Sequence, residues 1–529
     1  MFGIWSPRRE TMTASTRSEA PANTASRSTP PQPSAPPPDR KWGLPLAVIV
    51  IGMFMSVLNT TSVNVALTRM AADLSASTDD IQWVATAYNL CLGVVVPASA
   101  WLGDRLGLKR LYLASLVGFC VASMLCGLAG NLTSEILFRI LQAAPGGMLP
   151  VTCMTILYRI VPRRQTGTAM GLYGLGMVVA PAVGPTLGGY LVEYASWRLV
   201  YFVNVPVGVV GLVAAALLLP QLPGQPGRRF DALGFACIAG GLFALLLAAS
   251  EGEDWGWTSY RVVILFIAAL LLLALFVVIE LEVSDPLLDV RALRNRPLLN
   301  SLALIALQSI GLFAVSFYVP VFLQEGQGLT ALNTGFVLLP QGLVMMVCMP
   351  LAGRITDRFG ARWPAVVGLA LSGIGLLMLA EVNPDMTRGE FIAALMLRAV
   401  GPGVAMMPIT TSGISSLPAH LAGAGSAFNQ LVQRVTAALG LAVLTAMSTE
   451  QQAQLWAGRS ALVRPASDAR LHEMAERGAD GLAPLYQALK LDVLAQAYSD
   501  VFLVCGVVTL ASVPLALFIR SPKHRRPVG

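Results

Sequence analysis

The chain has 529 residues, of which 55% are apolar and only 12% charged, with a formal net charge of +7. A soluble domain is about 25% charged, so this composition, with a mean hydropathy of +0.66, excludes a soluble globular protein and a disordered one. The excess of positive charge reads as a topology signal, and no nucleic-acid partner is expected.

Residues 1–41 are rich in Pro, Ser and Thr, can bury no face, and are expected to be a disordered cytoplasmic tail without an apolar run of signal-peptide length. Apolar runs of about 20 residues, the length that crosses a bilayer as a helix, then follow one another. Span 1 (44–67) carries Asn59 and Asn64. Span 2 (82–104) carries Tyr88 and Asn89 and ends in the loop Asp104-Arg105-Leu106-Gly107-Leu108-Lys109-Arg110. Span 3 (111–130) is nearly free of polar residues and is expected, like spans 11 and 14, to support the bundle from outside. Span 4 (134–159) holds Arg139 and Gln142, and its Pro145-Gly146-Gly147 suggests a broken or kinked helix. Span 5 (167–191) sets small residues four apart at Gly176, Ala180, Gly184 and Gly188, with Pro181 and Pro185 between them. That spacing makes one smooth face for close helix approach.

Span 6 covers 199–220, and spans 7 and 8 cover 233–250 and 261–283. Spans 9 to 14 follow at 299–322 (with Gln308), 333–353 (Gln341), 363–381, 391–413, 424–447 (Asn429, Arg434) and 499–520. Long runs without period-two alternation predict an all-α polytopic bundle of fourteen transmembrane helices. If the amino terminus is cytoplasmic, the inner loops hold Arg105, Lys109, Arg110, Arg159, Arg163, Arg164 and further cations, against Arg69, Arg198, Arg261 and Arg388 outside. That bias predicts a multi-pass protein of the cytoplasmic membrane with both termini inside. The long outer loop 448–498 is charged and helix-compatible; it suits an exposed helical hairpin or a docking surface for a periplasmic adaptor.

Several chemistries are missing. No lysine is followed by Ser or Thr, so no phosphate-cradling Walker loop is present. The seven cysteines lie inside apolar runs with no Cys-x-x-Cys pair, and the three histidines lie outside those runs. Neither a metal site, a cofactor nor an enzyme's nucleophile–base pair is expected.

The chain also repeats itself, at an offset of about 255 residues. Asp104-Arg105-Leu106-Gly107 matches Asp357-Arg358-Phe359-Gly360, Ala100 and Gly103 fall opposite Gly353 and Thr356, Arg139 matches Arg398, and Pro150 matches Pro408. The expected domains are therefore a six-helix bundle over 42–220, a two-helix insert with a cytoplasmic linker over 221–298, a second six-helix bundle over 299–520, and a cytoplasmic tail over 521–529. Paired repeats with a site at their interface are the architecture of alternating-access carriers. The aspartates and cations of the two repeated loops can bond neighbouring helix ends and release them, which makes Asp104, Arg105, Gly107, Lys109, Arg110, Gly353, Asp357, Arg358 and Gly360 candidate gates.

These segments resemble the major facilitator superfamily, and within it the fourteen-helix drug:proton antiporter branch of EmrB/QacA type. The 104–110 loop resembles the superfamily's Asp-Arg-x-Gly-x-Lys/Arg loop, with Ala100 in place of its leading Gly. Arg139-Ile140-Leu141-Gln142 resembles the family's Arg-x-x-Gln-Gly segment, with Ala143 in place of Gly. Gly176 to Gly188 resembles the helix that marks antiporters, and Ser196-Trp197-Arg198 with Phe202-Val203-Asn204-Val205-Pro206 resembles the fourteen-helix branch. One departure matters: where the branch carries a suspected proton-carrying aspartate in span 1, this chain has Asn59, which cannot titrate.

The resemblance implies a proton-coupled exporter of small amphipathic compounds. Exporters of lipid or envelope precursors, and a non-transporting sensor or scaffold of the same fold, are the competing readings. Asn59, Asn64, Tyr88, Asn89, Arg139, Gln142, Gln308, Gln341, Asn429 and Arg434 are the expected cavity polar groups. At 1.5 Å per residue, Asn59 and Arg139 both lie about 8 Å below the outer face of the membrane core, so they are expected to be neighbours. An intramembrane arginine needs a partner. Glu135, one turn away on the same helix, is the expected one, with Asn59 and backbone carbonyls completing the shell; an anionic substrate group is the alternative.

Overall fold

A computed structural model describes residues 42–224, 230–283, 285–381, 386–462 and 479–519. The expected terminal tails and the 463–478 part of the outer loop lie outside the described residues. The described chain is helical, with fourteen helices long and apolar enough to cross a membrane.

The first six spans are α1 (Gly43–Asp73), α2 (Thr78–Leu106), α3 (Leu108–Gly127), α4 (Leu132–Ile160), α5 (Thr166–Tyr194), and a pair made of α6 (Leu199–Phe202) and α7 (Asn204–Leu218). Pro206 explains the break in that pair. It has no N–H to offer the Phe202 carbonyl, and its ring would crowd it. The helix therefore restarts at Asn204 and leaves that side chain buried. Helices α8 (Ala232–Trp255) and α9 (Tyr260–Glu282) pack on each other, and α8 also packs on α2. Leu270 and Leu271 of α9 are 71% and 64% exposed, as a face turned to lipid should be.

The second half runs through α10 (Arg296–Val321), α11 (Ala331–Phe359), α12 (Arg362–Leu379), α13 (Arg388–Ile414), α14 (Ala422–Leu462), α15 (Ala479–Ala511) and the short α16 (Val513–Ala516). The segment read as an outer loop is helical on both sides, because α14 runs on to Leu462 and α15 starts at Ala479. Their ends meet through a Trp456–Tyr486 ring contact at 5.4 Å.

Of the expected broken or kinked helix the break is absent: α4 is continuous from 132 to 160 through Pro145. Its glycines serve close packing instead. A Cβ on Gly147 would sit 2.9 Å from the Leu92 carbonyl, and one on Gly146 would meet the Tyr88 hydroxyl at 3.0 Å. Pro150 cannot donate to the Gly146 carbonyl, and the Ser56 hydroxyl donates to it at 3.0 Å. A missing helix bond thus becomes a tie between α1 and α4.

The repeated loops share one backbone device. Gly107 ends α2 at φ 87° and Gly360 ends α11 at φ 86°, a region that L side chains rarely enter. Replacing Gly360 by Ala is expected to cost about 1–3 kcal/mol in strain, read as a lowered thermal midpoint of the purified protein in detergent.

Candidate functional site

Arg139 is 1% exposed and sits inside the first half. Its guanidinium donates to Gln142 Oε1 at 2.7 Å and, through Nε, to the Val84 carbonyl at 3.3 Å. It also lies over the Tyr88 ring, 3.8 Å from the centroid. A cation at that range is attracted by the ring's negative face, more strongly when water is excluded.

Gln142 is the hub. The same Oε1 accepts from Asn59 Nδ2 at 3.3 Å, while its Nε2 donates to Ser123 Oγ at 2.5 Å. Asn204 closes the ring, donating to Asn59 Oδ1 at 3.0 Å and to Ser123 Oγ at 3.3 Å. Four helices, α1, α3, α4 and α7, are therefore joined by one buried polar network. Asn59 and Arg139 are neighbours through Gln142. Such a network is high in stakes, because any member left unpaired keeps its full desolvation cost.

Two expectations are corrected here. Among the described residues Glu135 makes no ion pair with Arg139 within 4 Å. Glu135 is fully buried, and neither of its oxygens has a hydrogen-bond partner. The guanidinium instead points along the helix toward Gln142. Span 3 is also more than outer support, since Ser123 of α3 is fully buried at the centre of the network. Sequence reasoning missed Ser123 because one serine in an apolar run resembles any small core residue. Asn204 lies in the Phe202–Pro206 segment of the family resemblance, but its inward aim depends on the helix restart at Pro206.

The remaining candidates are placed differently. Asn64 and Asn89 are exposed and stand outside this network. In the second half, Arg398, the counterpart of Arg139, is 2% exposed and donates to the Gly311 carbonyl at 2.9 Å. Asn429 bonds Thr410 at 3.4 Å and accepts from Gln433 at 3.3 Å. Gln308 Nε2, Gln341 Oε1, Arg434 Nε and the Tyr88 hydroxyl are buried polar atoms without a partner. Arg434 and Tyr88, from opposite halves, lie within electrostatic reach of each other.

The repeated loops are used unequally. Asp357 reaches across to the start of α5 and accepts from Gly167 N at 2.7 Å, Thr168 N at 2.8 Å and the Thr168 hydroxyl at 2.6 Å. A carboxylate there meets unpaired helix N–H groups and the positive end of the helix dipole. Asp104 instead pairs with Arg159 of its own half, at 3.4 Å. Lys109 holds the end of α7, donating to the Ala216 and Leu219 carbonyls at 2.8 and 2.7 Å. Arg105 lies 5.0 Å from the Trp101 ring centroid and Arg358 5.3 Å from that of Phe359; Arg105, Arg110 and Arg358 are exposed.

Beside Asp357 the two backbones touch. A Cβ on Gly167 would sit 2.6 Å from the Gly353 carbonyl, and one on Gly171 would sit 2.5 Å from that of Met349. The small-residue face of α5 serves a different neighbour. Gly176 meets Val50, and Gly184 and Gly188 meet Thr61 and Ser62, all on α1. Ala180 is fully buried, while Pro181 and Pro185 are exposed.

Residues 49–441 match the family model of the Major Facilitator Superfamily. The tetracenomycin C resistance and export protein of Streptomyces glaucescens is 30% identical over 92% of this chain and 94% of its own. A multidrug resistance protein B homolog of Mycobacterium tuberculosis is 30% identical over 90% of each. The MFS-type transporter YhcA of Bacillus subtilis is 32% identical over 77% of this chain and 76% of its own. Among solved structures, the human organic anion transporter MFSD10 superposes with a TM-score of 0.57 over 89% of this chain and all of its own, at 13% identity. That likeness is one of fold.

Gln142→Leu removes the acceptor that Arg139 and Asn59 share. It is expected to cost about 2–3 kcal/mol of stability, with Gln142→Glu costing less because it keeps an acceptor. Thermal unfolding of the two purified variants measures the difference.

Proposed function

The chain belongs to the major facilitator superfamily, and we propose that it is a secondary exporter of amphipathic organic compounds, driven by proton antiport through alternating access. It works in the cytoplasmic membrane with both termini inside, the orientation that the positive loops favour. The relatives named for drug resistance and antibiotic export support the direction of transport and the substrate class. The absence of a Walker loop supports an ion gradient as the energy source.

The observation that carries the mechanism is the triple bond set from Asp357 to the start of α5. It joins the two halves at the end that bears the cationic loops. Gly167 and Gly353 touch at the same seam, and Met349, Met406 and Met407 pack there into the core of the first half. Every bond in that set is between a carboxylate and donors on another rigid helix, so the set can open as a unit. In this state the cytoplasmic end is closed. Opening exchanges the Asp357 bonds for water, and the cavity is then exposed to the cytoplasm. Tyr88 from one half and Arg434 from the other offer polar contacts to a guest near the middle of the molecule, with Gln308 and Gln341 on the second half.

Asp357→Asn keeps one acceptor but loses the charge. The closed state is expected to weaken by about 1–3 kcal/mol, which lowers turnover in proteoliposomes at normal protein yield. Asp104→Asn, whose ion pair lies within one half, is expected to lower turnover less. Equal turnover of Asp357→Asn and wild type removes the gate assignment.

Transport itself is tested in everted membrane vesicles with a matched dye pair, cationic ethidium and anionic fluorescein. Accumulation that requires the protein and collapses with the proton gradient is the expected result for at least one dye. No protein-dependent flux of either dye, together with an unchanged drug-susceptibility profile on gene deletion, contradicts the exporter reading.

A further inference from the structure

The polar network around Arg139 leaves one ionisable group unused. Glu135 lies in the first turn of α4, one turn before Arg139 and one turn after the exposed N-cap residue Asn131. Its side chain is fully buried, and both carboxyl oxygens lack a hydrogen-bond partner. Facing it is Tyr201 of α6, also fully buried, whose hydroxyl lies beside the Glu135 carboxyl without forming a well-aligned bond and has no other partner. An ionised carboxylate away from water requires hydrogen bonds or a counter-charge, whereas a protonated one is neutral. The arrangement seen here, with Arg139 turned away to Gln142 and Tyr88, satisfies the cation without the carboxylate.

The surroundings are otherwise quiet. The charged and titratable groups near Glu135 are Arg139 on its own helix, Cys126 at the end of α3, and Arg198 and Tyr201 at the α6 turn. Arg198 is already engaged by Asp73 at 3.8 Å. Tyr201 and Cys126 belong to an apolar cluster that also takes in Met70 of α1 and Ile81 of α2.

We propose that Glu135 is the proton-binding site of this carrier and that its protonation decides where the Arg139 guanidinium points. With Glu135 protonated, an O–H bond is formed on the carboxyl and Arg139 stays on Gln142 and the Tyr88 ring, as observed. When the proton leaves to water, the carboxylate carries a full negative charge one helical turn from the guanidinium. Residues four apart on a helix face each other, so a change of side-chain rotamer brings Arg139 to Glu135. Gln142 Oε1 then loses its charged donor, and the ring through Asn59, Ser123 and Asn204 loosens. Proton binding is in this way tied to the packing of α1, α3, α4 and α7 against one another. The site also accounts for how a chain with Asn59 in span 1 retains a titratable group, one helical turn from the arginine whose network includes Asn59.

The inference rests on the proton-coupled reading for its consequence but not for its existence, and two measurements separate the two. The first uses the purified full chain in detergent without substrate. Infrared difference spectra across a pH titration should show a protonated-carboxyl C=O band that is absent from Glu135→Gln and displaced in pH in Glu135→Asp. An identical band in wild type and Glu135→Gln, or no such band in wild type, overturns the proton site. The second uses proteoliposomes with ethidium. Uptake driven by a pH gradient should fall at least tenfold, to about the downhill rate, in Glu135→Gln, while exchange at equal pH stays within about twofold, because the variant no longer distinguishes the two protonation states. Glu135→Asp should recover part of the gradient-driven uptake. Gradient-driven uptake in Glu135→Gln equal to wild type overturns the coupling role. A titrating band in a wild type that shows no gradient-driven uptake leaves the proton site standing and removes the proton-coupled reading instead.

Discussion

A guanidinium buried in an apolar bundle is tolerated only if every direction of its charge is answered. Here the answer to Arg139 comes from neutral groups: an amide oxygen, a backbone carbonyl and an aromatic face. Each is a dipole or quadrupole held by its own packing, so the site is polar without being fixed by a salt bridge. The rest of the first half is arranged around that requirement. Gly146 leaves room for Tyr88, Ser123 holds the far side of Gln142, and Asn204 reaches the centre because Pro206 forces a restart in its helix.

The internal duplication sets a second constraint, and the two copies resolve it differently. Gly107 and Gly360 make the same backbone turn after the same Asp-Arg pair. Yet Asp357 bonds the opposite half, while Asp104 pairs with Arg159 in its own. The buried arginines diverge as well. Arg139 is held by a side-chain amide, a backbone carbonyl and a ring, whereas Arg398 donates to the Gly311 carbonyl. One copy thus holds the more elaborate polar interior, and the other supplies the bond that closes the seam.

The architecture was legible in the sequence because it depends on quantities that sequence carries directly: run length, repeat spacing and the glycines at 107 and 360. The neighbourhood of Asn59 and Arg139 was also within reach, since rise per residue converts position to depth. Direction around the helix axis was harder to read. Glu135 and Gln142 flank Arg139 at four and three residues, and both spacings permit contact. The guanidinium's choice of Gln142 follows from Ser123 and Asn59, which arrive from other helices and have no sequence relation to it. The same limit applies to Pro145-Gly146-Gly147. Composition marks a weak helix there, but α4 runs through it without a break, with Leu92, Phe119 and Tyr88 packed closely against its glycines.

Helix α5 touches both halves of the molecule at different points of its length. Toward its start it bears on α11 at Gly167 and Gly171, and farther along it bears on α1 at Gly176, Gly184 and Gly188. It is therefore a lever with two bearings, and backbone contact without intervening side chains makes both bearings hard. Its 29 residues span about 43 Å, so a tilt of about 10° about the middle carries each end through about 4 Å. That travel exceeds the reach of any hydrogen bond to Asp357. The same tilt would carry Gly188, about 12 Å from the middle, through about 2 Å against α1, so the Asp357 bonds and the α1 contacts of α5 cannot shift independently.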